Sequence, residues 1–239
     1  MEKKSKITIL LWGLLMTGCI PMTNMTSIKS NYPQIPESTK TIDIPKYDDA
    51  KHGLNGLPYV YWNFCKQKQK QLRLGSPETS SDSLIYRMWI TNPAGRKNQP
   101  HGLIEIKNDS AKWSGKLILM NVNFSPNNLT ESITQSKIID LTPLETNWES
   151  VVDSLYKYKI DILPTDEKIP DYYTEATRYS NNEPTFSFEY ATKNTYRFYQ
   201  YGNIYRIPDK FWQVDNILKI LDMLEREFKW DSLGREYFK

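Results

Sequence analysis

The 239-residue sequence predicts an α+β domain, an antiparallel sheet with two amphipathic helices packed on one face, in the order strands, helix, strands, helix. Three observations point there. Runs rich in β-branched and aromatic residues come in consecutive groups, not singly between helices as parallel βαβ units require. Two other segments repeat their apolar residues at helical spacing. The mean hydropathy of −0.62 describes a polar chain, yet an aromatic fraction of 13% is too high for a disordered one.

The chain opens on a leader. Lys3, Lys4 and Lys6 precede a ten-residue, mainly apolar run from Ile7 to Met16. Spanning a membrane takes roughly 20 apolar residues, so the run has the shape of a secretory signal and not of a transmembrane helix. It ends in Met16-Thr17-Gly18-Cys19. This tetrapeptide resembles the bacterial lipobox, Leu-(Ala/Ser/Thr)-(Gly/Ala)-Cys, with Met16 in place of the commonest Leu. The resemblance implies a lipoprotein cleaved before Cys19, with acyl chains on the Cys19 thiol and amine. Several chains, at about 0.8 kcal/mol per buried methylene, anchor stably where one does not. Ile20 follows the cysteine where Asp retains many Gram-negative lipoproteins at the inner membrane, so the resemblance implies the outer membrane, facing the periplasm.

The expected organisation is a signal peptide over 1–18, a lipidated Cys19 and flexible tether over 19–50, and one domain over 51–239. The tether reading rests on Pro21, Pro33, Pro36 and Pro45 and on the lack of a sustained period. Residues 54–74 fit a helix after Pro58 or a strand, and Gly75 to Asp82 reads as a loop. "LIYRMWIT" (84–91), "LIEIK" (103–107), "WSGKLILMNVNF" (113–124) and "KIIDL" (137–141) read as strands. A helix follows, with Trp148, Val151, Val152 and Leu155 on one stripe; Thr142 and Thr146 each open a possible capping box for it. Residues 169–184 read as a long loop. "TFSFEY" and "TYRFYQY" form a hairpin across "ATKN". The last element, about 209–229, is an amphipathic helix with Val214, Ile217, Leu218, Leu221, Leu224 and Phe228 on its apolar side. Asp215–Lys219 and Asp222–Arg226 are its expected i, i+4 pairs.

Charge excludes some partners. The net formal charge is +3, and the leader holds +2 of it, so no strong attraction to nucleic acid is expected. The basic run from Lys66 to Arg73 reads as a solvated face. With Cys19 lipidated, Cys65 has no disulfide partner and reads as a small buried hydrophobe.

Catalytic and metal signatures are sparse, and no cofactor and no metal is expected. Phosphate-binding, zinc-protease and hydrolase-elbow motifs do not occur. Ser154-Leu-Tyr-Lys157 matches Ser-x-x-Lys but lacks its companion motifs and reads as a solvated helix face. Asp166, Glu167, Asp171 and Glu175 read as a solvated acidic loop; Ca²⁺ binding or acid–base work is the less favoured alternative. In the aromatic hairpin, Arg197, Tyr199 and Tyr201 share one side of a strand. They form a possible exposed binding face for a protein or glycan partner, against the simpler reading of sheet packing.

From Tyr86 to Phe228 the chain resembles a diffuse group of uncharacterised bacterial proteins, often lipoproteins. "YRMWI", "LIEIKN", "GKLI", "LTP" before a helix, "LPT" and "FSFEY…YRFYQY" carry the likeness. The group supplies no catalytic residues. The function expected is therefore a membrane-anchored, non-catalytic binding or structural module. The alternatives are a periplasmic immunity or inhibitor protein against a toxin or hydrolase, and a carboxylate-based hydrolase.

Overall fold

Seven strands form among the described residues: β1 (Thr41–Asp43), β2 (Leu84–Thr91), β3 (His101–Asp109), β4 (Lys112–Ser125), β5 (Thr130–Leu141), β6 (Thr185–Ala191) and β7 (Thr195–Tyr201). They form one open sheet in the order β1-β7-β6-β2-β3-β4-β5. All neighbours are antiparallel except β1, which runs parallel to β7. The helices are α1 (Leu57–Gln71), α2 (Trp148–Lys157), α3 (Tyr172–Ala176), α4 (Trp212–Phe228) and α5 (Trp230–Glu236). The computed structural model describes residues 40–44, 57–92, 100–125, 130–176, 183–207 and 210–236. The leader, Cys19 and most of the 19–50 segment lie outside them. No helix among the described residues is long and apolar enough to cross a membrane.

The chain is thus mixed α+β with a mostly antiparallel sheet. Its helices are not confined to one face. Leu84, Tyr86, Met88 and Ile90 of β2 join the apolar residues of α2 and α4 in one core cluster. Ile85 and Trp89, on the other side of the same strand, join Trp62 and Cys65 of α1 in a second. The two-helix arrangement is corrected accordingly, because α1 gives the sheet a second cover. Seven consecutive residues of β2 are buried for this reason, as happens to a strand covered on both sides.

Several boundaries shift for identifiable reasons. Residues 41–43, expected within the tether, add an edge strand; three residues are too few to show a period. β5 begins at Thr130, not near 137, because its first half carries a single apolar residue, Ile133. The α2 cap is neither Thr142 nor Thr146: Asn147 Oδ1 accepts the Ser150 N–H at 2.8 Å. The expected 169–184 loop contains α3. Gly115 on β4 sits directly under the Trp148 indole, and a Cβ there would collide with the ring. That close approach requires glycine.

On α4 Val214, Ile217, Leu221, Leu224 and Phe228 are buried as expected, each fully buried Leu or Ile contributing roughly 1.5–3 kcal/mol, while Leu218 is half-buried at the margin and Ile220 and Met223 are buried beside them. Lys219 pairs with Asp215 at 2.6 Å, but Arg226 turns to Glu145 at 3.2 Å and away from Asp222.

Candidate functional site

Two constructions stand out, one on each side of the sheet. The first is a cavity of about 370 Å³ where the ends of β2, β3, β4 and β6 meet α4 and α5. Ile90, Leu117, Leu119, Phe186 and Leu221 supply apolar wall, and Tyr205 and Trp230 add aromatic rings. Asp222, Glu225 and Asp231 line it as well. Local chain geometry brings these carboxylates together. α4 ends on Lys229 in the left-handed conformation (φ 53°), and α5 starts at the next residue. Glu225 then accepts the Asp231 N–H at 2.8 Å and the Ser232 hydroxyl at 3.0 Å, capping α5. Asp222 lies one helical turn earlier and is exposed. Burial, then Asp231, Glu183 and Asp222, push the Tyr205 hydroxyl up to about 12, so the field at this mouth is negative.

The second construction is a buried charge network beneath α1. The Glu189 side chain is fully buried. Its Oε1 accepts from Lys66 Nζ at 2.5 Å and from the Tyr196 hydroxyl at 2.8 Å; its Oε2 accepts the Trp89 indole N–H at 2.8 Å. The Tyr196 hydroxyl in turn accepts from Trp62 Nε1 at 3.2 Å. Arg87 donates through Nε to Glu105 at 2.6 Å and through Nη2 to the Gly75 carbonyl at 2.9 Å. Gln69 Oε1 accepts from both Lys66 and Arg87. Sheet register aligns these charges in one row: Arg87 lies opposite Glu189 on one side and Glu105 on the other. The row continues from Glu105 to Lys116 and from Lys116 to Asp140. Every cross-strand neighbour in it has the opposite sign.

Burial by itself would raise the Glu189 carboxyl. The charges of Lys66 and Arg87, with the hydrogen bonds from Lys66 and Trp89, outweigh burial and hold it at about 2. A carboxylate held there stays ionised at ordinary pH and has no proton to donate. The network fastens α1 to the sheet. It extends to β5, where Lys68 pairs with Glu131 at 2.9 Å. The basic run beginning at Lys66 is therefore not a solvated face throughout, because Lys66 and Lys68 point inward. Gln67 and Gln71 bond the outer backbone groups of Glu131 and Ile133, sealing part of an edge strand.

The residues singled out in the sequence fall elsewhere. Arg197, Tyr199 and Tyr201 do share one side of β7, but that side is covered. Tyr199 and Tyr201 are buried. Tyr199 donates to the Ile160 carbonyl at 3.0 Å and Tyr201 to the Pro164 carbonyl at 2.5 Å. Arg197 donates to the carbonyls of Asp161 and Leu163 and pairs with Asp43 of β1 at 3.2 Å. The exposed strip is corrected to an anchor that holds the 160–164 turn, because those carbonyls lack helix or sheet partners and take the three side-chain donors instead.

The acidic loop is also dispersed. Asp166 is buried beside Tyr172 and Tyr201, and Glu175 pairs with Lys210. None of Asp166, Glu167, Asp171 and Glu175 lines the cavity. Among the described residues no group of three or more His, Cys, Asp and Glu is placed to hold a metal ion. Ser154 donates to the Ser150 carbonyl at 2.8 Å, and the Lys157 ammonium lies over the Tyr158 ring, so the Ser-x-x-Lys pair is occupied locally. Cys65 is buried, and burial raises its thiol, which keeps it unreactive. Cys19 lies outside the described residues.

Sequence reasoning missed both constructions. The network left a trace: Arg87, Glu105 and Glu189 each stand between apolar neighbours within a strand. The cavity left none, since its walls come from six segments. Comparison with protein-family models, with curated proteins and with solved structures finds no match.

Proposed function

We propose that this chain is a lipid-anchored envelope protein, most consistent with the outer membrane facing the periplasm, whose domain acts by binding and not by catalysis. The observation that carries the binding reading is the 370 Å³ cavity with apolar wall on one side and carboxylates on the other. Its size falls within the roughly 300–1,000 Å³ of small-molecule sites. The pairing of buried charges supports the non-catalytic reading, since the most deeply buried carboxylate, Glu189, has both oxygens engaged by Lys66, Tyr196 and Trp89 and is closed to a substrate. The anchor rests on Cys19 at the end of the leader's apolar run.

Cys19→Ala tests the anchor. The wild-type chain is expected to sediment with membranes and to take up labelled lipid. The variant is expected to lose the label and leave the membrane fraction; a variant that still sediments and labels overturns the lipoprotein reading.

A further inference from the structure

We propose that the cavity beside α4 and α5 takes a small organic cation, an ammonium group carried on a short hydrocarbon body. The inference deepens the binding reading above and rests on it. Among the described residues no Lys, Arg or His lines the cavity, whereas Asp222, Glu225 and Asp231 all do. The three carboxylates do not have equal freedom. Glu225 is committed to the first N–H and hydroxyl donors of α5. Asp222 has the sequence spacing to pair with Arg226, but Arg226 is drawn to Glu145 at 3.2 Å and to the buried Glu227 at 3.8 Å. Among the described residues Asp222 has neither an ion pair nor a hydrogen bond. Its neighbour four residues on has been given other work, and its carboxylate stays on the cavity side of the helix.

The rest of the cavity fits the rest of such a ligand. Tyr205 is 49% exposed, a large fraction for an aromatic ring packed edge-on against Phe186 at 6.2 Å. Tyr205 and Trp230 offer π-faces, and an ammonium near such faces gains cation–π attraction in addition to that of the carboxylate. Leu117, Leu119 and Leu221 give a hydrocarbon body apolar surface to cover. Burial first, and then Asp231, Glu183 and Asp222, displace the Tyr205 hydroxyl upward, so these carboxylates act on the ring that lines the cavity. Their field repels an anionic ligand and gives a neutral one no advantage.

The test uses full-length protein in non-ionic detergent micelles and titrates it with butyl-, pentyl- and hexylammonium. The matching alcohols and carboxylates are titrated beside them, with calorimetry and ligand-observed NMR as readouts. At least one ammonium is expected to bind ten times or more tightly than its alcohol and its carboxylate. Asp222→Asn, on an exposed position, is expected to weaken that binding fivefold or more. Asp215→Asn, on the same helix but paired with Lys219, is expected to leave it unchanged. Equal affinity for ammonium and alcohol overturns the cation and leaves a binding cavity. Binding by none of the probes overturns the site while leaving the Cys19 anchor to its own test. An Asp222→Asn protein that folds and binds as before overturns the assignment of Asp222.

Discussion

The two sides of the sheet solve the same packing problem in different ways. Under α2 and α4 the sheet is apolar and aromatic: Met88, Ile104, Leu117 and Phe188 are fully buried there, and Phe188 stacks on Tyr199 at 5.1 Å. Under α1 a smaller apolar cluster surrounds Glu189, Arg87, Lys66 and Glu105. The first side is held by area, which is non-directional and tolerates a cavity at its end. The second is held by charges whose partners must be in place, and it fixes where α1 lies. Buried ion pairs add little net stability over apolar residues of similar size, but breaking one strands its partner. The first side therefore fails gradually and the second abruptly.

Breaking the charged side gives the largest effect. Glu189→Ala removes the acceptor shared by Lys66, Trp89 and Tyr196 and is expected to cost about 3–5 kcal/mol in denaturant unfolding. Replacing Glu189 by Leu together with Lys66→Met, Trp89→Phe and Tyr196→Phe removes the donors it would strand and is expected to cost less. If that quadruple variant is as damaged as Glu189→Ala, the two sides do not differ as described.

Acid sharpens the same contrast without mutation. Against burial, Lys66 and Arg87 hold Glu189 below its ordinary 4.5 in the fold, so the unfolded chain binds the proton first. The stability it contributes is present above about 4.5 and is lost as pH falls through the lowered value. His101 adds to it: burial, and then Lys68, lower it to about 3 from 6.5, so the fold also loses stability as pH falls from 6.5 to 3. Unfolding monitored by circular dichroism between pH 7 and 2 is expected to show a continuous loss. Glu189→Gln is expected to flatten its lower part. A stability curve that rises on acidification contradicts the assignment.

The smallest of the three effects belongs to the apolar side. Gly115→Ala forces the Trp148 ring to move and is expected to cost about 1–3 kcal/mol. The loss should shrink when Trp148 is also made smaller, because a packed apolar side can readjust. Additive losses in the double variant would show that it cannot.

Much of the fold was legible locally. β2 and β7 match their sequence readings residue for residue, because β-branched and aromatic content is a property of the strand itself. α4 was legible from its apolar residues at helical period. α1 was not. Its buried positions Trp62, Cys65, Lys68 and Gln69 have helical spacing, but two of them are polar, so hydrophobicity gives no stripe to follow.

Sequence by itself determined the α+β class, strands β2, β4 and β7 and the last helix, since each is written within a few consecutive residues. Tertiary structure alone decided which charges are inside. Lys68 is stable in the interior only because Glu131, 63 residues later, meets it at 2.9 Å. Arg87 requires Glu105 and Glu189 from two neighbouring strands. It also decided that Tyr199 and Tyr201 hold a turn in place of facing a partner, and that Asp222 loses Arg226 to Glu145. Each of these depends on pairing between distant segments, which a local pattern does not encode.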